Sequence, residues 1–210
     1  MSKKTTSNGA KCKICRRLNA KLFLKGTKCL LPKCLMNKKP YPPGQKRKRR
    51  AKTLSEYGRG LKEKQKLKNW YNLKEKQFRN YVEKVLNRKG KVENADAMLI
   101  KILESRLDNV VFRMGFASSR PLARQIISHR HISVNDRLIN ISSYLVKKED
   151  RISLKLRSSQ NLTSALKKHK TPSWLKLDIK KMAGKVIGEP DLAEALPPVE
   201  ISLIFEHYSR

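Results

Sequence analysis

Four cysteines near the N-terminus are the residues of this sequence whose types and spacing best fit a chemical role. They are Cys12, Cys15, Cys29 and Cys34, and no other cysteine occurs in the 210 residues. The spacing C-x2-C-x13-C-x4-C places two thiolates on each of two short knuckles, which is how four sulfurs surround one metal ion. Two disulfides fit less well, because nothing in the sequence indicates an oxidising compartment. The spacing predicts a bound Zn²⁺, and an iron–sulfur cluster, which also accepts four cysteines, remains open.

The predicted metal has a structural role, because four protein ligands leave no coordination position for a substrate or an activated water. The first 55 residues contain 18 Lys and Arg and no Asp or Glu. A segment with so much uncompensated charge and so small a core is not expected to fold alone. We therefore expect the metal to order it.

A strip of basic residues follows the cysteines. In KPYPPGQKRKRR, the prolines at 40, 42 and 43 and Gly44 disfavour helix and sheet. The chain is then extended and presents its cations together. We predict phosphate contacts for Arg47, Lys48, Arg49 and Arg50.

The overall charge indicates the class of partner. The sequence has 50 Lys and Arg against 17 Asp and Glu, a formal net charge of +33 at pH 7, and 30 of the basic residues precede residue 92. A charge this large favours a polyanion, with nucleic acid as the first candidate. No apolar run is long enough to span a bilayer, and the basic N-terminus lacks the apolar segment of a secretory signal. We predict an intracellular protein that does not associate with membranes.

Two other function classes are alternatives to RNA binding: an enzyme and a DNA-binding regulator. An enzyme requires a polar catalytic constellation, and the four histidines have no matched Cys, Ser or carboxylate near them in sequence. An RNA-modifying enzyme would need a further domain for its chemistry. A DNA-binding regulator with a zinc knuckle predicts groove-reading side chains, whereas basic residues spread over the whole chain suit a large folded RNA better.

Residues 53–90 are rich in Lys, Glu, Gln and Leu and predict two or three short helices. Apolar residues from Phe78 to Leu86 recur at helical spacing and are assigned to a core. The basic residues on the other faces are expected to point at phosphates. They include Lys62, Lys64, Lys66 and Arg79.

Residues 94–156 predict a compact module. Apolar residues recur at i, i+3 and i+4 up to Met114, which indicates one amphipathic helix ending at Gly115. Pro121 begins a second helix after a tight corner. The period then changes to 2, which predicts a small antiparallel sheet from residues 131–134, 138–139, 144–146 and 151–156. Basic side chains are expected on the second helix, opposite its apolar face, or just after it: Arg120, Arg124, His129 and Arg130.

ESRLDNVVFRMGFASSRPLARQIISHRHISVNDRLINISSY closely resembles the RNA-binding module named after ribosomal protein four of the small subunit. The resemblance to that ribosomal protein family, in its bacterial, four-cysteine form, extends over KPYPPGQ, LSEYG, LKEKQK, KEKQFRNY, PSWLKLD and VEISLIFEHYSR. The sequence departs from the family at Lys46-Arg47, where many relatives have His-Gly, and at Asn135-Asp136, where Asn-Gly is usual.

The resemblance implies an α+β fold with a metal-knuckle N-terminus, a helical domain and an inserted RNA-binding module of two helices on a small antiparallel sheet. The implied domains are a metal-binding region at 1–45, a basic helical domain at 46–93 completed by 195–210, the module at 94–160 and its extension at 161–194. The complete set of predicted RNA-binding residues is Arg47, Lys48, Arg49, Arg50, Tyr57, Lys62, Lys64, Lys66, Arg79, Arg106, Arg113, Arg120, Arg124, Gln125, His129, Arg130 and Asn135.

The implied role is that of a structural constituent of the small ribosomal subunit, with no catalysis and no small-molecule substrate. The resemblance implies early binding to a multi-helix junction in the five-prime region of small-subunit ribosomal RNA and nucleation of assembly. It also implies contacts with ribosomal protein five and with messenger RNA at the channel through which it enters, and a contribution to translational accuracy. The implied location is the cytoplasm, with an organellar ribosome as the alternative.

Overall fold

A computed structural model describes residues 8–44, 53–87, 94–155, 166, 170–195 and 197–209. The chain divides into two compact units. The first unit comprises the residues up to Leu86 together with those from Pro197 onward, and the second extends from Asn87 to Leu196. The four-part division expected from the sequence is finer than this one and stays a prediction.

The first unit is helical. Its described helices are α1 (Asn8–Leu18), a 3-10 turn (Gly26–Cys29), α2 (Leu35–Lys38), α3 (Glu56–Trp70), α4 (Glu75–Leu86) and α9 (Ile201–Ser209). Residues 53–87 therefore contain two helices, within the predicted two or three. A small apolar cluster that includes Leu18 and Leu22 packs with Trp70 at the end of α3, where Phe23 meets the indole edge-on at 6.1 Å.

Helix α9, near the C-terminus, packs closely on α3. A Cβ atom at Gly60 would lie 3.2 Å from the carbonyl oxygen of Leu203 and 3.3 Å from Cβ of His207. A side chain at residue 60 would therefore require α9 to move away from α3 by a few tenths of an ångström. The tail also contacts α4, where the ring centroids of Phe78 and Tyr208 are 6.2 Å apart.

Glu75 joins three of the helices of this unit, α3, α4 and α9. Its carboxylate accepts hydrogen bonds from Nζ of Lys64 at 2.6 Å, from Nζ of Lys68 at 2.8 Å and from the hydroxyl of Tyr208 at 3.2 Å. Partial burial acts to raise the pKa of Glu75, but the hydrogen bonds from the two lysines outweigh it and lower the pKa to about 2. The ionised carboxylate therefore stabilises the packing of α9 on α3 and α4.

Replacing Glu75 by Gln should lower the free energy of unfolding at pH 7 by roughly 1 kcal/mol, since the half-exposed carboxylate is screened by solvent. The folded pKa of Glu75 lies below its unfolded value of about 4.3, so its contribution is present above that pH and is lost as the pH falls toward 2. Urea denaturation of the E75Q and wild-type chains at pH 7, 5 and 3 measures this. Glu83→Gln is the control, because Glu83 pairs with Arg79 on the surface of α4. A difference that does not shrink toward pH 3 would contradict the assignment.

The second unit contains the mixed α/β part of the chain. Its described elements are α5 (Ala95–Glu104), α6 (Leu107–Arg113), α7 (Arg120–Ser128), β1 (Ile132–Val134), β2 (Arg137–Ile139), β3 (Arg151–Leu154), β4 (Leu175–Asp178), β5 (Ala183–Val186) and α8 (Leu192–Ala195). The five strands form one antiparallel sheet in the order β2-β1-β3-β5-β4. The mixed helical and antiparallel class predicted from the sequence is confirmed.

The core of the second unit lies between the helices and one face of the sheet. Ala123 and Ile127 of α7 belong to the same buried cluster as Ile132 of β1 and Ile152 of β3. A Cβ atom at Gly184 of β5 would lie only 2.8 Å from the sulfur of Met114, so the segment after α6 packs directly on the sheet. The helices therefore cover one side of the sheet.

The prediction of a single helix up to Met114 is wrong, because the helix breaks between α5 and α6. The backbone N–H of Leu107 donates to the carbonyl of Tyr144 at 2.8 Å, and the N–H of Val146 donates to the carbonyl of Ser105 at 2.9 Å. These backbone hydrogen bonds to distant residues take the place of the bonds within the helix that would continue α5 into α6. Residues 144–146, predicted as a strand, form only an isolated bridge at Arg106 and Leu145.

The sheet also extends beyond the predicted module, because β4 and β5 come from residues assigned to its extension. The turn between β1 and β2 keeps the geometry that Asn-Gly would give. Asn135 and Asp136 have φ angles of 48° and 64°, both in the left-handed region. The Asn135 amide stabilises this turn by donating to Asp150 at 2.8 Å and accepting from the N–H of Arg151 at 3.0 Å.

Candidate nucleic-acid interface and cysteine cluster

The C-terminal end of α7 carries the exposed basic surface that the sequence predicted. Ala123 and Ile127 are buried, whereas Gln125, His129 and Arg130 are exposed, with Arg124 half-buried beside them. This group is named the α7 surface and consists of Arg124, Gln125, His129 and Arg130. Arg130 adopts a left-handed φ of 60°, which ends the helix and fixes the direction in which the chain leaves it. A rigid, basic helix end can hold donors against phosphates and base edges.

Arg120 does not belong to that surface, so its predicted position is wrong. It is 5% exposed, its Nε donates to Oδ1 of Asn109 at 2.6 Å, and its guanidinium lies 4.6 Å from the ring centre of Phe112. Arg120 is the first residue of α7, where the helix meets α6. Its guanidinium therefore stacks on a ring and donates a hydrogen bond inside the protein.

Glu104 is the centre of the buried polar network that holds Arg120. Its carboxylate is 2% exposed and accepts two hydrogen bonds from Arg113, each 2.9 Å long, and one from Asn109. Arg113 also donates to the carbonyl of Ala195 at 3.1 Å, which connects α6 to α8. Arg113, predicted to bind RNA, is therefore a partly buried structural residue.

Arg106 is also buried, contrary to its prediction as an RNA ligand. It is fully buried and binds Asp108 in a bidentate pair, with N···O distances of 2.6 and 3.1 Å. The pair lies at the break between α5 and α6. Its two parallel hydrogen bonds compensate the cost of removing both charges from water.

The predicted basic residues of α3 and α4 differ in exposure. Lys64 is buried and bound to Glu75, so it cannot point at solvent as predicted. Lys66 pairs with Glu63 at 2.5 Å, and Lys62 is half-buried. Arg79 alone among these four is largely exposed, although it forms a surface ion pair with Glu83.

Tyr57 and Asn135 are accessible but have partners within the protein. Tyr57 is 57% exposed, and its ring lies 5.0 Å from that of His207 on α9. Asn135 is exposed, but its amide holds the β1–β2 turn. The predicted strip Arg47, Lys48, Arg49 and Arg50 lies outside the described residues. The chain before the strip is held at Tyr41, whose backbone carbonyl accepts a hydrogen bond from Nε of Arg16 at 2.8 Å.

The four cysteines lie near one another in the first unit. Cys12 and Cys15 are on α1, Cys29 ends the 3-10 turn and Cys34 is the N-cap of α2, and all four are free thiols. Burial raises the pKa of Cys15 and of Cys29, backbone hydrogen bonds involving Leu22 and Lys25 lower it, and the other cysteines raise it.

The chemistry of the four thiols suits a soft metal ion, and backbone hydrogen bonds to two of them are typical of structural zinc sites, but their arrangement does not confirm one. Within the described ranges, no group of three or more His, Cys, Asp or Glu side chains has a spacing that could hold a metal ion. The predicted Zn²⁺ stays a prediction.

One basic surface was not predicted from the sequence. Arg151 on β3, Lys185 on β5 and Lys176 on β4 are cross-strand neighbours, and all three are exposed on the side of the sheet away from the helices. The sequence signal is weak, because the short strands LKLD and AGKV contain a single Lys each. Only the strand pairing brings the three cations together.

Two family models match the chain in adjacent segments. The ribosomal protein S4/S9 N-terminal domain matches residues 6–104, and the S4 domain matches residues 105–152. The uS4 protein of the small ribosomal subunit from Thermus thermophilus is 44% identical over 208 residues, which cover 96% of this chain and 98% of that protein. The corresponding proteins from Caldicellulosiruptor bescii and Kosmotoga olearia are 45% and 44% identical over 207 residues, with the same coverage. The chain belongs to the uS4 family.

The family predicted from the sequence is thereby confirmed. The uS4 proteins are structural ribosomal proteins and not enzymes, so the non-catalytic assignment and the location in the small ribosomal subunit are confirmed as well. The boundary between the two family models, at residues 104 and 105, coincides with the break between α5 and α6. No helix among the described residues is long and apolar enough to cross a membrane.

Proposed function

We propose that this uS4 protein binds a multi-helix junction in the five-prime region of small-subunit ribosomal RNA and nucleates assembly of the subunit. The observation that carries the proposal is the α7 surface, whose exposed residues lie at the end of a helix fixed by Ala123 and Ile127. Rigid donors recognise a shaped RNA, because little conformational entropy is lost when they bind. The net charge of +33 supplies the general attraction to phosphates.

Three arginines of the second unit that bind carboxylates inside the protein support this assignment. Arg106, Arg113 and Arg120 hold α5, α6 and α7 through Asp108 and Glu104. The side chains that contact RNA are then those left outside this network. The proposal therefore assigns recognition to the α7 surface and scaffolding to the three arginines.

The basic N-terminal region would make further contacts in the ribosome. The strip from Arg47 to Arg50 would contact messenger RNA at the channel through which it enters, and the protein would touch ribosomal protein five and contribute to translational accuracy. Family membership and the charge of the strip support this, since an extended, Pro-flanked run of cations suits a single strand of any sequence. The four cysteines would hold Zn²⁺ and order the N-terminal segment that contains them, and the support for this is their residue type and their spacing in the sequence.

The proposed recognition is tested with a variant of the α7 surface, Arg124→Gln, His129→Gln and Arg130→Asn. Asn at 130 tolerates the left-handed φ. Removing each side chain that recognises the junction should reduce the preference for the five-prime RNA over a scrambled RNA by about 1–3 kcal/mol. Filter binding at two salt concentrations measures it, with duplex DNA as a third ligand.

The control variant is Lys147→Gln with Lys148→Gln, which removes two exposed cations from the same unit. The control should weaken binding to both RNAs by similar factors. An equal loss of preference in the two variants, or tighter binding of the wild type to duplex DNA than to the junction, would contradict the proposed function.

A further inference from the structure

The side of the five-stranded sheet away from the helices carries a row of cations. The pairing registers place Arg151 opposite Lys185, and Lys185 opposite Lys176, so that three neighbouring strands each contribute one positive side chain at the same level. All three residues are exposed. With adjacent strands about 4.8 Å apart, the row spans about 10 Å.

The row lines a concavity of about 640 Å³. The turn between β4 and β5 adds Lys180 and Lys181 to its lining, and both are exposed. Asp178 is the acidic residue of the lining, and one of its oxygens accepts the backbone N–H groups of Lys180 at 3.0 Å and Lys181 at 3.2 Å. The concavity therefore presents five cationic side chains and one carboxylate that is engaged by the turn.

This arrangement works against the stability of the isolated sheet, because like charges directly opposite one another on neighbouring strands repel. Lys185 pairs with Glu149. Within the part of the chain that the structure describes, Arg151, Lys176, Lys180 and Lys181 form no ion pair. An external anion would supply the missing compensation.

We propose that this concavity, named the sheet surface, binds the phosphodiester backbone of RNA. Its lining contains no aromatic side chain, and none of its members is a largely exposed apolar residue, so it lacks the anchors on which protein partners depend. It also offers no ring for base stacking, so it would bind phosphates without reading sequence. The inference rests on the proposed function, because it takes RNA to be the polyanion.

The sheet surface and the α7 surface face different sides of the second unit. Helix α7 packs with Ile127 in the core on one side of the sheet, whereas the cation row lies on the other side. One unit could then contact two RNA segments at once. Such bridging would bring separate parts of a folded RNA together, which is what a protein that nucleates assembly requires.

The test compares the variant Arg151→Gln, Lys176→Gln, Lys185→Gln with a control, Lys147→Gln, Lys148→Gln, Lys170→Gln. Both remove three exposed cations from the second unit, and only the first alters the sheet surface. The probe is the five-prime domain of small-subunit ribosomal RNA transcribed in vitro. Each lost contact with a duplex phosphate makes the slope of log K against log salt shallower by about 0.9. We therefore expect a change of about 2 to 3 in the first variant and of less than about 1 in the control. Equal slopes in the two variants would overturn the inference.

A second measurement uses the wild-type chain, so it does not depend on the folding of a variant. Lysines are acylated with and without the RNA and the modified sites are read by mass spectrometry. Lys176, Lys180 and Lys181 should be protected at least threefold more than Lys147 and Lys148. If the wild-type protein binds the RNA and the sheet lysines stay unprotected, the inference fails and the proposed function stands. If the wild-type protein does not bind the RNA, the proposed function fails. If the variant Arg151→Gln, Lys176→Gln, Lys185→Gln binds RNA like the control but is excluded from assembling subunits, the sheet surface binds a protein. That result would also overturn the inference.

Discussion

Replacing Cys29 by Ser is expected to release one equivalent of zinc and to unfold the segment up to Gly44. Structural zinc sites contribute about 10 kcal/mol or more of apparent binding free energy, and the small core around Leu18 and Leu22 cannot replace it. Trp70 reports the loss, because Phe23 contacts its ring. The measurement is zinc content by mass spectrometry together with Trp70 fluorescence in a chain whose Trp174 is replaced by Phe.

The matched control for this prediction is Leu30→Ser. Leu30 is 73% exposed and adjoins Cys29, so its substitution changes the same turn without removing a ligand. The control should retain its zinc, and the second unit should stay folded in both variants. Full retention of one equivalent of metal by a chain with all four cysteines replaced by Ser would contradict the zinc proposal.

Replacing Glu104 by Gln is expected to lower the free energy of unfolding of the second unit by about 3–5 kcal/mol. Removing one partner of a buried ionic network leaves the other charge uncompensated, which costs more than the pair contributes. Here Arg113 and Arg120 both approach the carboxylate that the substitution removes, and Arg120 is only 5% exposed. Urea denaturation followed by the fluorescence of the buried Trp174, in a chain with Trp70→Phe, measures the change.

Glu189→Gln is the control for Glu104, because Glu189 forms an exposed ion pair with Lys101 in the same unit. Its loss should cost less than about 1 kcal/mol. If the two variants unfold at the same urea concentration, the network does not stabilise the unit. RNA binding by E104Q at a temperature where it is folded should stay close to that of the wild type, since the α7 surface is left intact.

Local pattern alone was enough to predict α7 and its exposed end. Pro121 begins the helix, Ala123 and Ile127 mark the buried side, and the basic residues that follow are exposed. The same pattern placed Arg120 wrongly. Periodicity assigns a residue to a face, but it does not show that a carboxylate from α5 meets that face inside the protein.

Residues distant in sequence account for the other errors. The break between α5 and α6 arises because Tyr144 and Ser105 exchange backbone hydrogen bonds with Leu107 and Val146 across about 40 residues of chain. The sheet surface likewise depends on the pairing of β3 with β5. Neither pairing leaves a periodic signal, because each requires a register that only the folded chain supplies.

The cysteines are a case in which residue type and spacing predict a site that the structure leaves unconfirmed. Cys12 and Cys15 lie about one helical turn apart on α1, so the helix itself sets their separation. The return of the chain to Cys29 and Cys34 was predicted from the length of the gap, and the structure brings both into the same unit as Cys12 and Cys15, but no three described side chains are arranged so that they could hold a metal ion. The sequence does not identify the metal, because zinc and iron–sulfur clusters both bind four cysteine thiolates.

We propose that this chain binds the five-prime region of small-subunit ribosomal RNA. Ultraviolet crosslinking in cells, followed by sequencing of the RNA bound to the wild-type protein, tests it most directly. We expect crosslinked reads to concentrate in the five-prime region of small-subunit ribosomal RNA, well above the large-subunit RNA after correction for abundance. Reads spread over both ribosomal RNAs in proportion to their abundance would contradict it.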